Sequence, residues 1–300
     1  MSDETSKGVV GFIGIGTMGR EMAINLANAG HRVKAYDVRR EAVDALAPFG
    51  IDAAASIADA STAADAVVTM LPDTPDVEAV VRGDGGLLAH PPAGRLVIDM
   101  STIAPGAVRR MSADLARIGV AFLDAPVSGG PIGARNAALS IMAGGDAAAF
   151  EKARRFFSAM GTTITHVGES GSGQTVKLCN QLICGINLQA ICEALVLGRA
   201  AGVDLPRLRE VLMGGSAASW MLDKLGPQMI EGDASAGFRI DLMLKDLRLV
   251  AQQAAETNVP LPATSLVTTQ YLDARAHGEG SNGNQALFRV YDRMSGQAPA

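Results

Sequence analysis

Apolar positions are distributed differently in the two halves of this chain. The first half carries short strand-like runs at residues 8–15, 32–36, 66–71, 96–100, 120–123, 138–145 and 163–168. The first of them, GVVGFIGI, is continuous enough to read as a buried parallel strand. Between the first two runs, Met22, Ala23, Leu26 and Ala27 repeat at helical spacing and stop at Gly30. After residue 168 the strand pattern fades. Segments 206–213, 218–229, 242–257, 263–277 and 285–294 read as helices. The longest apolar segment opens at Gly173 and runs through Leu178, Leu182, Ile183, Ile186, Leu188, Ile191, Leu195, Val196 and Leu197. It reads as one helix, apolar on most faces and mostly buried. The glycine cluster at 168–173 is the expected boundary between an α/β domain, 1–168, and an all-helical domain, 169–300.

Length and composition fit this picture and narrow the partners. Three hundred residues exceed one ordinary core and suggest two domains. With 48% hydrophobic and 19% charged residues, the chain has the composition of a soluble globular protein. A net charge of −5 without blocks of like charge, and 4% aromatic content, give no reason to expect nucleic acid or an anionic membrane as a partner. Residues 1–7 are short, polar and mixed in charge, unlike a secretory leader. The long apolar segment carries Asn180, Gln181, Asn187, Gln189 and Glu193, too many polar groups for a membrane span. A cytoplasmic location is the expectation. Cys179, Cys184 and Cys192 all fall in that segment and read as core residues, and the four histidines are scattered, so no metal site is expected. The tail from Ser295 reads as frayed.

The chemistry begins at Gly14-Ile15-Gly16-Thr17-Met18-Gly19, which follows the first strand and opens a helix. This is the dinucleotide pattern, completed by Asp37 at the end of the second strand. Gly14 permits the tight turn, Gly16 lets the backbone approach a pyrophosphate, and Gly19 lets helix pack on strand. The alternative is a glycine-rich turn in some other α/β unit. Asp37 suits the ribose hydroxyls of NAD, whereas Arg39 and Arg40 just after it could hold the ribose phosphate of NADP. NAD is favoured. In open α/β sheets the ligand lies at the carboxyl ends of the strands, so Leu71, Pro72 and Thr102 are placed to line the cofactor cleft. Pro72 could equally just end its strand, and Ser101 or Thr102 just cap a helix.

Three further stretches stand out. Ser128-Gly129-Gly130 offers a hydroxyl and unobstructed amides that suit a small carboxylate, or else makes a plain tight turn. Lys177 and Asn180, three residues apart at the start of the long helix, share one face. Burial there would lower the lysine's pKa and make it a proton carrier near neutrality, unless it snorkels to solvent from the first turn. Lys245 lies in a helical segment beside Asp246 and by itself would be a surface residue.

Four of these motifs together resemble the β-hydroxyacid dehydrogenase family. Residues 12–19 continuing through Asn25-Leu26 are similar to its N-terminal signature, 124–130 to its substrate loop, 173–180 to its catalytic stretch, and Lys245-Asp246-Leu247 to a cofactor-contacting segment. The resemblance implies an α/β Rossmann-type N-terminal domain followed by an all-α C-terminal domain of the 6-phosphogluconate dehydrogenase kind, assembling as homodimer or homotetramer. It implies NAD(P)-dependent oxidation or reduction at the β-carbon of a small hydroxy acid. Lys177 would carry the proton, Asn180 would orient substrate or lysine, Ser128, Gly129 and Gly130 would hold the carboxylate, and Lys245 would contact the cofactor. Many members have two asparagines after the lysine, whereas here Asn180 is followed by Gln181. That resembles the 2-hydroxy-3-oxopropionate (tartronate semialdehyde) and glyoxylate/succinic semialdehyde reductase branch more than the 3-hydroxyisobutyrate one. A glyoxylate or succinic semialdehyde reductase using NADPH is the alternative, and a non-catalytic nucleotide sensor a more distant one.

Overall fold

Val10, Phe12 and Ile13 are buried on both faces of the first strand, as its continuous apolar run requires. The computed structural model describes residues 7–296. The chain divides into two compact units, Met1–Lys177 and Leu178–Ala300. Residues 1–6, within the segment read as unlike a leader, lie outside the described part.

The first unit is built on a nine-stranded sheet. Its parallel portion comprises β1 (Val9–Ile13), β2 (Arg32–Tyr36), β3 (Asp52–Ala53), β4 (Ala66–Thr69), β5 (Leu96–Asp99) and β6 (Ala121–Asp124). They lie in the order 3-2-1-4-5-6, the doubly wound arrangement of dinucleotide-binding folds. The sheet continues with β7 (Val127–Ser128), β8 (Leu139–Gly144) and β9 (Gly161–Gly168). β8 runs antiparallel to β6 and β7, and β9 parallel to β8. The helices are α1 (Thr17–Asn28), α2 (Arg40–Asp44), α3 (Ile57–Ser61), α4 (Thr74–Arg82), α5 (Pro105–Ala116), α6 (Gly130–Arg135) and α7 (Ala147–Phe157). One core runs along the sheet from Val10, Phe12 and Met22 to Phe150, Phe156 and Phe157, and buried Val67, Val97, Val108 and Met111 lie outside that cluster. The seven strands read from the sequence are all present. β3, β7 and α6 were not expected, because two-residue strands and a six-residue helix are too short to show a period.

α8 (Ser172–Ala200) begins in the first unit and ends in the second, so the division falls inside this helix rather than in the glycine cluster before it. Its most apolar stretch has a mean hydropathy of 1.5, enough by length and composition to cross a membrane, and 44% of that stretch is buried within the protein. Burial is one-sided, which corrects the expectation of a mostly buried helix. Gln174, Lys177, Gln181, Gly185, Leu188, Cys192 and Leu195 are buried at three- and four-residue spacing, while Ile183 is 63% and Leu197 72% exposed. Cys179 is exposed and Cys184 half-buried, so only Cys192 is the core cysteine that all three were expected to be.

Among the described residues, the regular elements of the second unit are helices: the rest of α8, then α9 (Leu205–Met213), α10 (Trp220–Lys224), α11 (Gly226–Glu231), α12 (Ile240–Thr257), α13 (Pro262–Ala276) and α14 (Phe288–Ser295), with one isolated β-bridge between Arg239 and Gly283. Leu188, Leu195, Met243, Leu247, Tyr271 and Phe288 meet in its core. The single helix expected over 218–229 is broken at Leu225, where Gly226-Pro227 removes a backbone donor and restarts the ladder as α11. α14 runs through Ser295 and closes on Gly296 in a left-handed conformation. The remainder of the tail read as frayed, from residue 297, lies outside the described residues.

Candidate active site

The glycine loop between β1 and α1 has the geometry its spacing predicts. Gly14 sits at φ +100°, and a Cβ there would stand 2.3 Å from the Met70 carbonyl. A Cβ on Gly19 would stand 2.0 Å from the Gly14 carbonyl, so α1 can pack this close only with glycine. Gly16 differs, since a Cβ there would meet nothing within 4 Å. The first amides of α1, from Thr17 and Met18 onward, adjoin that open space. A dinucleotide pyrophosphate fits this arrangement, taking the free N–H groups of the helix start.

Asp37 fixes the same loop. One carboxylate oxygen accepts the Ile15 amide at 2.7 Å and the other the Arg39 amide at 2.8 Å. The Arg39 guanidinium lies 3.3 Å from Asp37 and also donates to the Ile15 carbonyl at 3.1 Å. Desolvation alone would raise the Asp37 pKa, but the Arg39 amide, the Arg39 side chain and the Ile15 amide outweigh it and hold the carboxyl below its usual range. Arg40 is taken up by Asp44 on its own helix at 2.8 Å. Of the two arginines, Arg39 therefore accompanies the acid.

At the carboxyl ends of β4 and β5, side chains tie neighbouring strands together. Asp99 accepts from the Thr69 hydroxyl at 2.7 Å and the Ser101 hydroxyl at 2.6 Å, and Ser101 in turn accepts the Leu71 amide at 2.9 Å. The Leu71 side chain lies against Gly14, close to where a Cβ would stand. Leu71 thus lies beside the glycine loop, and Pro72 and Thr102 directly follow Leu71 and Ser101 in the chain. Ser101 ties the two strand ends together and does not cap α5, whose N-cap is Ala104.

The start of α8 is fastened to the same strand ends. A Cβ on Gly173 would lie 2.4 Å from both the Asp124 and Met142 carbonyls, so the helix enters against backbone. Asp124, wholly buried at the end of β6, accepts the Gly171 amide at 2.8 Å and the Gln174 amide at 2.9 Å. Burial is the main cause that pushes the Asp124 pKa up to about 6; these two amides oppose it, and the nearby Asp99 carboxylate adds to it. The Gln174 side chain accepts the Ile103 amide at 3.0 Å and donates to the Ser101 carbonyl at 2.8 Å. Lys177, one turn further on, is only 6% exposed, so it does not snorkel to solvent. Ser128 lies on β7 opposite Ser140 of β8. Gly129 at φ +130° and Gly130 at φ +60° turn their backbone as only glycine readily can.

In the helical unit, Asn180 Nδ2 donates to Gln181 Oε1 at 2.8 Å, and Gln181 Nε2 donates to Asp246 Oδ2 at 2.5 Å. Lys245 Nζ lies 2.8 Å from Asp246 Oδ1, an ion pair by distance without aligned hydrogen-bond geometry. Lys245 is therefore a half-buried, paired cation rather than a surface residue.

Sequence reasoning missed Asp124, Gln174, Gln181 and Asp246. Each is polar and fully buried, and each sits within or beside a motif that was singled out. Adjacency to those motifs was the available signal, but burial itself is not written in the spacing.

Residues 9–168 match a family described as the NAD binding domain of 6-phosphogluconate dehydrogenase. Residues 171–291 match one described as NAD-binding of NADP-dependent 3-hydroxyisobutyrate dehydrogenase. The chain is 40% identical over 286 residues to 2-hydroxy-3-oxopropionate reductase of Escherichia coli, covering 95% of this chain and 98% of that one. It is 38% identical over 288 residues to 2-(hydroxymethyl)glutarate dehydrogenase of Eubacterium barkeri, covering 96% of each. Among solved structures, 3-hydroxyisobutyrate dehydrogenase of Mycobacterium tuberculosis with L-serine is similar, with a TM-score of 0.87 at 33% identity over 95% of this chain and 99% of that one. A dinucleotide loop of the required geometry, a helical second unit and relatives matched end to end make this chain a member of the β-hydroxyacid dehydrogenase family, NAD(P)-dependent oxidoreductases acting on the CH–OH group of hydroxy acids.

Proposed function

We propose that this chain interconverts 2-hydroxy-3-oxopropionate and its hydroxymethyl acid, with NAD as the preferred cofactor. The nicotinamide supplies or accepts the hydride. Lys177 carries the hydroxyl proton, and the observation that supports this role is the fastening of its helix to strand ends through Gly173, Asp124 and Gln174. A lysine held this rigidly and stripped of most of its water is suited to give and take a proton at one position. Ser128 with the amides of Gly129 and Gly130 binds the substrate carboxylate. Asn180 binds the substrate and Lys245 the cofactor.

The names of the relatives support this substrate class chemically. 2-(Hydroxymethyl)glutarate, 3-hydroxyisobutyrate, L-serine and the reduced form of 2-hydroxy-3-oxopropionate all contain HO–CH2–CH(X)–COO−, and differ only in X. The shared part is what a carboxylate site and a lysine proton carrier recognise, so X decides among them. Gln181 after Asn180 supports the hydroxyl-bearing X of the reductase branch. A second reading, a glyoxylate or succinic semialdehyde reductase using NADPH, is favoured by the largely exposed Arg39 beside Asp37.

The test is loss of NADH or NADPH absorbance with 2-hydroxy-3-oxopropionate, glyoxylate and succinic semialdehyde, and the reverse reaction with 3-hydroxyisobutyrate, L-serine and 2-(hydroxymethyl)glutarate. Fastest turnover of 2-hydroxy-3-oxopropionate with NADH is expected. Lys177→Ala should cut turnover by roughly two to four powers of ten while leaving nucleotide affinity nearly intact. Equal loss of both would remove Lys177 from the proton-carrying role.

A further inference from the structure

The hydrogen bonds around Asp246 form a chain with a defined direction. A carboxylate only accepts, so the Gln181 atom facing Asp246 is the amide nitrogen, as the 2.5 Å contact has it. Gln181 Oε1 is then turned to Asn180, which must present its NH2 group, at 2.8 Å. Asn180 Nδ2 also approaches Cys184 Sγ at 3.5 Å. Its amino group is thus committed, and Oδ1 is the atom Asn180 has to offer a ligand. The other oxygen of Asp246 pairs with Lys245. Gln181 and Asp246 are 4% and 1% exposed and sit beside the core that α8 and α12 share. One turn beyond Gln181, a Cβ on Gly185 would lie 3.5 Å from Leu247 and 3.9 Å from Met243, so the two helices run close together there.

We infer that Gln181 and Asp246 are positioning residues, a buried amide–carboxylate pair that fixes which face of Asn180 and which direction of Lys245 are offered to substrate and cofactor. The inference rests on the dehydrogenase reading above, in which Asn180 and Lys245 touch those ligands. Asp246 divides its two oxygens between the two branches, so loss of its charge weakens both at once. Gln181 serves the Asn180 branch directly. Gln181 in this place is then more than a variant of a second asparagine: its longer side chain spans from α8 to α12.

The experiment is a pair of double-mutant cycles on the full chain, Asp246→Asn with Lys245→Ala and Gln181→Leu with Asn180→Ala. Each is read in kcat/KM and in NADH affinity by nicotinamide fluorescence. Each single substitution should lower kcat/KM by roughly ten- to a hundred-fold, the range expected when one charge-assisted buried bond is lost. A positioning residue acts through its partner, so Asp246→Asn should cost clearly less once Lys245 is gone, keeping only its share through Gln181 and Asn180, and Gln181→Leu should add little once Asn180 is gone. Gln181→Asn, which keeps the amide but is too short to reach, should not rescue, whereas Gln181→Glu should be worse than Gln181→Leu because it faces Asp246 with like charge. Additive losses in both cycles, or unchanged kinetics, would overturn the inference. If Asp246→Asn fails to fold, the Gln181 cycle decides. If the wild type turns over none of the tested substrates, the functional reading has failed, and the Asp246–Lys245 cycle in NADH affinity still decides the positioning role.

Discussion

Asp124 accepts the backbone amide of Gln174 at 2.9 Å and thereby joins the end of β6 to the first turn of the helix that carries Lys177. The bond has two properties that matter for function. It satisfies an amide that a helix start leaves unpaired, and it does so from a buried carboxylate.

The ionisation of Asp124 should be visible in stability. Its pKa rises from an ordinary 3.8 to about 6 in the folded chain. Between those values the native state holds a proton that the unfolded chain has released. The contribution of Asp124 to stability is therefore greatest below pH 4 and declines as pH rises through 6, by about 3 kcal/mol in all. Urea unfolding of wild type and Asp124→Asn at several pH values isolates it. The wild type should lose stability relative to the variant between pH 4 and 7, and a difference independent of pH would show the shift to be absent.

Two glycines in the first unit should respond oppositely to alanine. Gly173→Ala forces a methyl group onto two backbone carbonyls at 2.4 Å and should cost about 1–3 kcal/mol of stability, with turnover falling as Lys177 shifts. Gly16→Ala meets nothing within 4 Å and has φ −82°, which alanine adopts readily. It should leave the unfolding midpoint nearly unchanged and weaken nucleotide binding, because the added methyl occupies space the pyrophosphate needs. Calorimetry for stability and titration with NADH for binding separate the two effects.

Cofactor choice should turn on Asp37 and Arg39 rather than Arg40. Asp37→Ala removes the acceptor for the Ile15 amide as well as the ribose site, and should lower kcat/KM for NADH more than for NADPH. Arg39→Ala should reduce whatever NADPH activity exists while sparing NADH. Arg40→Ala should change neither, since that side chain is paired with Asp44.

The tie between Gln174 and the β5 end has its own expected outcome. Gln174→Ala leaves the Ile103 amide and Ser101 carbonyl without their partner, a loss of about 1–3 kcal/mol. Steady-state kinetics should show a fall in kcat larger than any rise in the KM for nucleotide, because the helix bearing Lys177 loosens while the glycine loop is untouched.

Much of this was legible in the chain itself. The succession of strands along the chain, Gly14 and Gly19 followed from local rules: strand burial imposes continuous apolar runs, and a turn at positive φ or a helix packed on a carbonyl admits glycine alone. The helices of the second unit were legible because their period is local too. What local rules could not give was which side of α8 is buried. Its apolar residues surround the axis, and only packing separated the buried Gln174, Lys177 and Gln181 from the exposed Ile183 and Leu197. For the same reason Lys245 read as a surface residue until Asp246, buried and paired with it, came into view. Spacing along a chain determines what each segment can bury and where its backbone can turn. Which polar group ends up facing which depends on elements far apart in sequence. Asp124 and Gln174 met, and Gln181 met Asp246, because a buried acceptor without a donor is too costly to leave in place.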